Sequence, residues 1–161
     1  MTCLEGELPF EKNDSNRLYT GKTMSYTEDA LAFRKAYRQD TPGCITQTGF
    51  VNERIWKLQL RLIEEEFCEL VEASDNLLNE PTSPSLAADL LKECADLHFV
   101  LYQFCSAHGL DLDAASDRVF KSNMSKLDEN GQPIFREDGK VLKGPLYQPP
   151  SLIDLVESAI K

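Results

Sequence analysis

The chain has 161 residues, 42% of them hydrophobic, with 17 basic and 27 acidic side chains and a formal charge of −10. The length and apolar content suit one folded domain. The charge argues against a nucleic-acid polymer as partner, because such binders draw affinity from Lys and Arg on phosphates; a basic membrane-surface helix is disfavoured for the same reason.

No apolar run approaches the ~20 residues that span a bilayer, and the first ten residues lack a basic stretch followed by an apolar one. The five cysteines (Cys3, Cys44, Cys68, Cys94, Cys105) include no Cys-x-x-Cys pair. They read as reduced thiols of a cytoplasmic protein, with Cys68 and Cys94 as packing residues. Two histidines, His98 and His108, argue against a multi-histidine zinc site.

Residues 1–24 are polar and aperiodic and are expected to form an N-terminal extension, with residues 25–161 as one helical domain. Ser25-Tyr26-Thr27-Glu28 has the form of a capping box and opens a first helix to about Arg38, stopped by Thr41-Pro42-Gly43. Asn52 to about Asn79 lacks Gly and Pro and has a helical apolar pattern. Glu80 to Ser85 is a loop, with Ser85 the expected N-cap of a third helix that runs to about His108, before Gly109. Asp111 caps a fourth, to about Leu127. Asp128-Glu129-Asn130-Gly131 and Glu137-Asp138-Gly139-Lys140 are turn signals, with Ile134 and Phe135 between them and Val141 and Leu142 after them, which fits a short hairpin or an ordered loop. After Pro149-Pro150-Ser151 comes a last short helix with Leu152, Leu155, Val156 and Ile160 on one face. The expected architecture is all-α: a four-helix-type bundle with a C-terminal helix.

The chemistry emerges when the helices are projected at about 100° per residue. With Ile55 at zero, Leu62 falls near ~340° and Leu70 near ~60°, while Glu66 lies near ~20° and Glu69 near ~320°. Both acids sit inside the apolar arc, and Glu65 lies at its edge. On the third helix, Glu93 is flanked by Leu86, Leu97, Val100 and Phe104, with Asp96 one turn on and Asp89 behind. Carboxylates are seldom buried unless paired or holding a metal. Four together need a cation or protons, and an all-oxygen ligand set favours Mg²⁺ or Mn²⁺. The plainer alternative is a charged face on two surface helices. A di-iron bundle is the structural rival, but Asp96 stands where its Glu-x-x-His motif needs histidine.

On the fourth helix, Asn123 and Lys126 project to the apolar side with Leu112, Ala115 and Val119. Lys126 suits a structural ion pair or a phosphate contact. Residues 53–96 hold eleven acids and four bases, and residues 118–147 hold six bases and four acids. A metal-binding half followed by a phosphate-binding half fits a nucleotide polyphosphate.

These residues resemble a known family. Glu66-Phe67-Cys68-Glu69, a gap of 23 residues, then Glu93-Cys94-Ala95-Asp96 is similar to the ExxE…ExxD signature of the MazG-like all-α nucleoside triphosphate pyrophosphatases. That superfamily includes the dimeric dUTPases, the dCTP pyrophosphatases and phosphoribosyl-ATP pyrophosphatase. Ser122-Asn123-Met124-Ser125-Lys126 resembles its Asn/Lys segment, and Asp138 to Pro150 resembles the tail of short phage and bacterial members. The resemblance covers about Phe33 to Leu155. It implies that Glu66, Glu69, Glu93 and Asp96 coordinate Mg²⁺, that Glu65 orients water or acts from the outer shell, and that Asn123 and Lys126 hold the sugar-phosphate. The implied reaction cleaves between the α- and β-phosphates, releasing a nucleoside monophosphate and pyrophosphate, in a homodimer or homotetramer. The phage-like tail implies a purine dNTP such as dGTP. A modified or phosphoribosyl-linked nucleotide, or a non-enzymatic metal- or partner-binding helical module, are the alternatives. Gln59 is expected to read a base edge or cap a backbone group, and Trp56 to stack on a base or pack in the core. Lys140, Lys143 and Tyr147 are expected to close over the phosphates or to tie down the tail.

Overall fold

The computed structural model describes residues 25–39 and 52–159. Five helices follow one another: α1 (Tyr26–Ala36), α2 (Glu53–Asn79), α3 (Pro84–Ala107), α4 (Leu112–Met124) and α5 (Ile153–Ala159). The expected extension over 1–24, the stop at Thr41 to Gly43, and Cys3, Cys44 and Ile160 lie outside the described residues.

The helix starts follow local chemistry. At α1 the capping box forms: Glu28 N donates to Ser25 Oγ at 3.1 Å, and Ser25 N donates to Glu28 Oε2 at 2.9 Å. Asn52 caps α2 and Asp111 caps α4 through side-chain oxygens. For α3 the cap is Ser83, not the expected Ser85, because Pro84 occupies the first helical position, where its missing N–H costs nothing. Helix α4 ends at Met124, short of the expected Leu127. There Ser125 is held by the tail: Gln148 N donates to Ser125 Oγ at 2.8 Å, and Ser122 Oγ donates to Gln148 O at 2.7 Å. The second turn signal, 137–140, is the tip of a tight hairpin with a single bridge, Phe135 to Val141, and no regular strand.

Helices α2 and α3, joined by a short loop, form the main packed pair, and α1 packs on α3. The buried apolar residues are Ile55 and Ala73 of α2, Val100, Tyr102 and Ala107 of α3, and Ala30 of α1. Trp56 packs edge-on against Phe104 and His108, with ring centroids 4.8 and 4.7 Å away. Leu78, Leu91, Phe67 and Phe120 stay more than half exposed, so α2, α3 and α4 keep apolar surface that the described residues do not cover. Cys68 and Cys94 are also exposed rather than packed, since both sit on the outer sides of their helices. No helix among the described residues is long and apolar enough to cross a membrane.

Asp113 pins three helices. Its carboxylate accepts from Thr27 N at 3.1 Å and from Tyr102 Oη at 3.0 Å. Burial pushes its pKa up, but the Thr27 and Tyr102 hydrogen bonds outweigh burial and hold it below the usual carboxylate range. A depressed folded pKa contributes stability that is present above the unfolded value and lost as pH falls through the folded one. Asp113→Asn should therefore cost about 2 kcal/mol at neutral pH, lowering Tm by roughly 4–8 °C. The deficit against wild type should shrink as pH falls below about 4. Thermal melts of both proteins from pH 3 to 7 check this; a pH-independent deficit would remove the electrostatic account.

Candidate metal centre

Helical spacing places Glu66 and Glu69 on one side of α2, and Glu93 and Asp96 one turn apart on α3. Because α2 and α3 pack together, the two pairs face each other. Glu66, Glu69 and Glu93 each present a carboxylate oxygen, and these oxygens lie within 4.8 Å of one another. Glu66, Glu93 and Asp96 are half-buried; Glu69, expected inside the apolar arc, is exposed. Projection gives a side chain's direction but not its depth. The cluster sits at the wall of an open groove of about 390 Å³ lined by Glu69, Glu72, Ala73, Asn76, Asp89 and Glu93, among others.

The electrostatics are those of a site short of positive charge. Burial, with Glu69, Asp96 and Glu93 nearby, pushes the Glu66 carboxyl above the usual range, and Lys92 opposes this. Lys92 Nζ sits 3.0 Å from Glu93 Oε2 and 2.8 Å from Asp96 Oδ2. These partners raise its pKa above the ordinary lysine value. Lys92 thus holds Asp96, the one acid of the expected four outside the close group. Lys92 was not expected at the site, although its i, i+4 spacing to Asp96 was a usable signal. Oxygen donors at this separation, with excess negative charge, fit a hard divalent cation.

Apart from Glu65, next to Glu66 in sequence, and Lys140 in the hairpin, the remaining expected residues lie near the start of α2 or around the end of α4. Gln59 is buried and Trp56 half-buried, both near the start of α2. Trp56's ring contacts are those of the packing alternative. Lys126, Lys143 and Tyr147 gather where the tail meets the end of α4. Lys143 Nζ lies 4.3 Å from the centre of the Tyr147 ring. A hydrogen bond with Ser122, helped by the charges of Lys143 and Lys126, lowers the Tyr147 pKa. Lys126 lies just past the helix and is half-buried; Asn123, on the last turn, is exposed, as are Glu65 and Lys140.

Comparison with known proteins bears on this arrangement. The profile of a family described as phosphoribosyl-ATP pyrophosphohydrolase matches residues 32–123, more than half of the chain and all four acids. A search of curated proteins gives no match. The matched segment contains both acidic pairs and the Asn123 position, so the family's reach coincides with the helices that build the carboxylate cluster. The chain belongs to the phosphoribosyl-ATP pyrophosphohydrolase family, within the MazG-like all-α pyrophosphatase superfamily, whose members hydrolyse a pyrophosphate bond of a nucleotide.

Proposed function

We propose that this protein hydrolyses a nucleoside triphosphate between its α- and β-phosphates, giving a nucleoside monophosphate and pyrophosphate, with a purine dNTP such as dGTP as substrate. The observation that carries the reading is the convergence of Glu66, Glu69 and Glu93 within 4.8 Å beside an open groove. In this reading Glu66, Glu69, Glu93 and Asp96 hold Mg²⁺, or Mn²⁺ in its place. A bound divalent ion lowers the pKa of water and neutralises the leaving phosphates. The chain's own groups do the rest. The acids would repel a free polyphosphate, so a cation held there would offset both sets of charge. Asp96, ion-paired with Lys92, would hold the ion only on giving up that partner. Glu65, exposed beside Glu66, orients the attacking water. Lys126, Lys143 and Asn123 hold the sugar-phosphate. The apolar residues left uncovered on α2, α3 and α4 support a homodimer or homotetramer, and the reduced cysteines support a cytoplasmic setting.

The test is pyrophosphate release from a panel of dNTPs, NTPs and phosphoribosyl-ATP, with and without Mg²⁺. Glu69→Gln and Asp96→Asn should each lower kcat by roughly a hundredfold or more. Full activity in either variant removes the metal assignment. Turnover of phosphoribosyl-ATP alone favours the second reading, which the family match itself supports. Absence of turnover on every nucleotide returns the chain to a metal-binding helical module.

A further inference from the structure

A second cavity, of about 230 Å³, lies between α1 and the start of α2. Its floor is buried: Arg34, Gln59 and Ile55 are 1%, 3% and 6% exposed. Arg38, Arg54 and Leu58 form an exposed rim. Arg34 is set in place by side-chain carbonyls, donating to Gln39 Oε1 at 3.1 Å and to Gln103 Oε1 at 3.4 Å. Gln103 in turn donates to Ala30 O at 3.1 Å. Gln59 Oε1 is buried and accepts no hydrogen bond among the described residues. A buried acceptor without a donor is costly unless a ligand supplies one.

The Arg38 guanidinium on the rim is a fork of donors that calls for acceptors, and Gln59 Oε1 calls for an N–H. A phosphate supplies the first and not the second. The Ile55 and Leu58 side chains give the cavity apolar walls as well. Polar edges between apolar walls describe a nucleobase. The volume falls below the roughly 300–1,000 Å³ of pockets that take a whole drug-sized ligand, so there is room for a ring system rather than a full nucleotide. Guanine fits best: O6 and N7 are paired acceptors for a guanidinium, and its ring N–H and amino groups are donors. Adenine places an amino donor where one arm of the Arg38 fork needs an acceptor. Gln59 and Glu66 are seven residues apart, so they share a face of α2 about 10 Å apart along its axis. A nucleotide can bridge that separation with its base at one end and its phosphates at the other.

We infer that this arginine-lined cavity is the base pocket and that it selects guanine, with Gln59 accepting from the base N–H groups and Arg38 donating to O6 and N7. The inference deepens the proposed function and rests on it for the idea that a nucleotide is bound. Arg38 is the natural donor. Its side chain makes no ion pair or hydrogen bond among the described residues, and it holds a left-handed backbone, φ 52°, which a non-glycine residue adopts only at a cost.

The test is calorimetric titration of the full chain with dGMP, dAMP, dCMP and dTMP, with and without Mg²⁺. None of these has an α–β bond, so binding is read independently of turnover. Expected is a preference for dGMP over the others of roughly tenfold to a hundredfold. In Gln59→Leu and in Arg38→Gly the preference should fall to within a factor of about three, with thermal stability held or raised, since one variant removes an unsatisfied polar group and the other relieves the backbone. Equal binding of the four monophosphates, a preference surviving in both variants, or full displacement of dGMP by inorganic phosphate at equal concentration would overturn the inference. Guanine-selective binding without pyrophosphate release removes the reaction and keeps the pocket; release without base preference does the reverse.

Discussion

Glu66→Gln should reduce kcat for pyrophosphate release by at least roughly a hundredfold, and should make the metal-free protein more stable. Both effects come from one cause. Glu66 is one of two half-buried members of a group of three carboxylates whose oxygens lie within 4.8 Å. Burial and the charges of Glu69, Asp96 and Glu93 already disfavour its ionised form. An amide of the same shape removes that repulsion. Relief of this kind contributes roughly 0.5–2 kcal/mol, or a Tm rise of roughly 1–6 °C. The same amide is a poorer ligand for a hard cation. Ligand loss removes several kcal/mol of transition-state stabilisation, and each ~1.4 kcal/mol is tenfold in rate.

Magnesium should then reverse the order of stability. Wild type should bind the ion and gain about 2.7 kcal/mol at a hundred times Kd, whereas the variant should gain little. Paired melts of wild type and Glu66→Gln, with Mg²⁺ from zero to millimolar, measure the crossover. Curves that never cross, together with unchanged turnover, would remove Glu66 from the metal set. A crossover would be the signature of a functional cluster rather than of a solvated acidic face.

The legible parts of the molecule were those set by neighbours in sequence. Ser25 with Glu28, Asn52 and Asp111 each cap a helix through atoms within three residues, so the cap can be read directly. The pairing of Glu66 and Glu69 with Glu93 and Asp96 was readable because both helices put acids among apolar residues, and a short connection makes α2 and α3 neighbours. Ser83 was missed because Pro84 reads as a loop residue, although it is favoured at a first helical position. The early end of α4 depends on Gln148, more than twenty residues away. No local signal announces that contact. Lys92 projects towards solvent on α3, yet its long side chain reaches back to Glu93 and Asp96. The arginine cavity was illegible for a different reason: it exists only once Arg34 and Arg38 of the α1 region are brought against Arg54 and Gln59 of α2.

Gly144→Ala should detach the tail from the end of α4. A Cβ at this position would lie 2.5 Å from Leu127 O and 2.7 Å from Lys126 O, both backbone atoms that have no rotamer to change. Gly144 is buried, and its N–H donates to Lys126 O at 2.9 Å. The alanine must therefore break that bond and lift the strand of chain that carries Lys143, Tyr147 and Gln148. Overpacking and a lost buried hydrogen bond together cost about 3 kcal/mol. The loss should be local, because the hairpin and tail can open while α2 and α3 stay packed. Hydrogen exchange should show faster exchange at Gly144, Tyr147 and Gln148, whose amides are bonded in wild type, and little change in α2.

The functional consequence discriminates between two roles of the tail. If Lys143 and Tyr147 close over the substrate's phosphates beside Lys126, KM should rise by roughly tenfold, the value of a charge-assisted contact, while Mg²⁺-dependent stabilisation is kept because the carboxylates lie on other elements. An unchanged KM in a variant whose tail exchanges freely would assign Lys143 and Tyr147 to anchoring alone, and would leave Lys126 and Asn123 as the basic and polar groups that meet the phosphates.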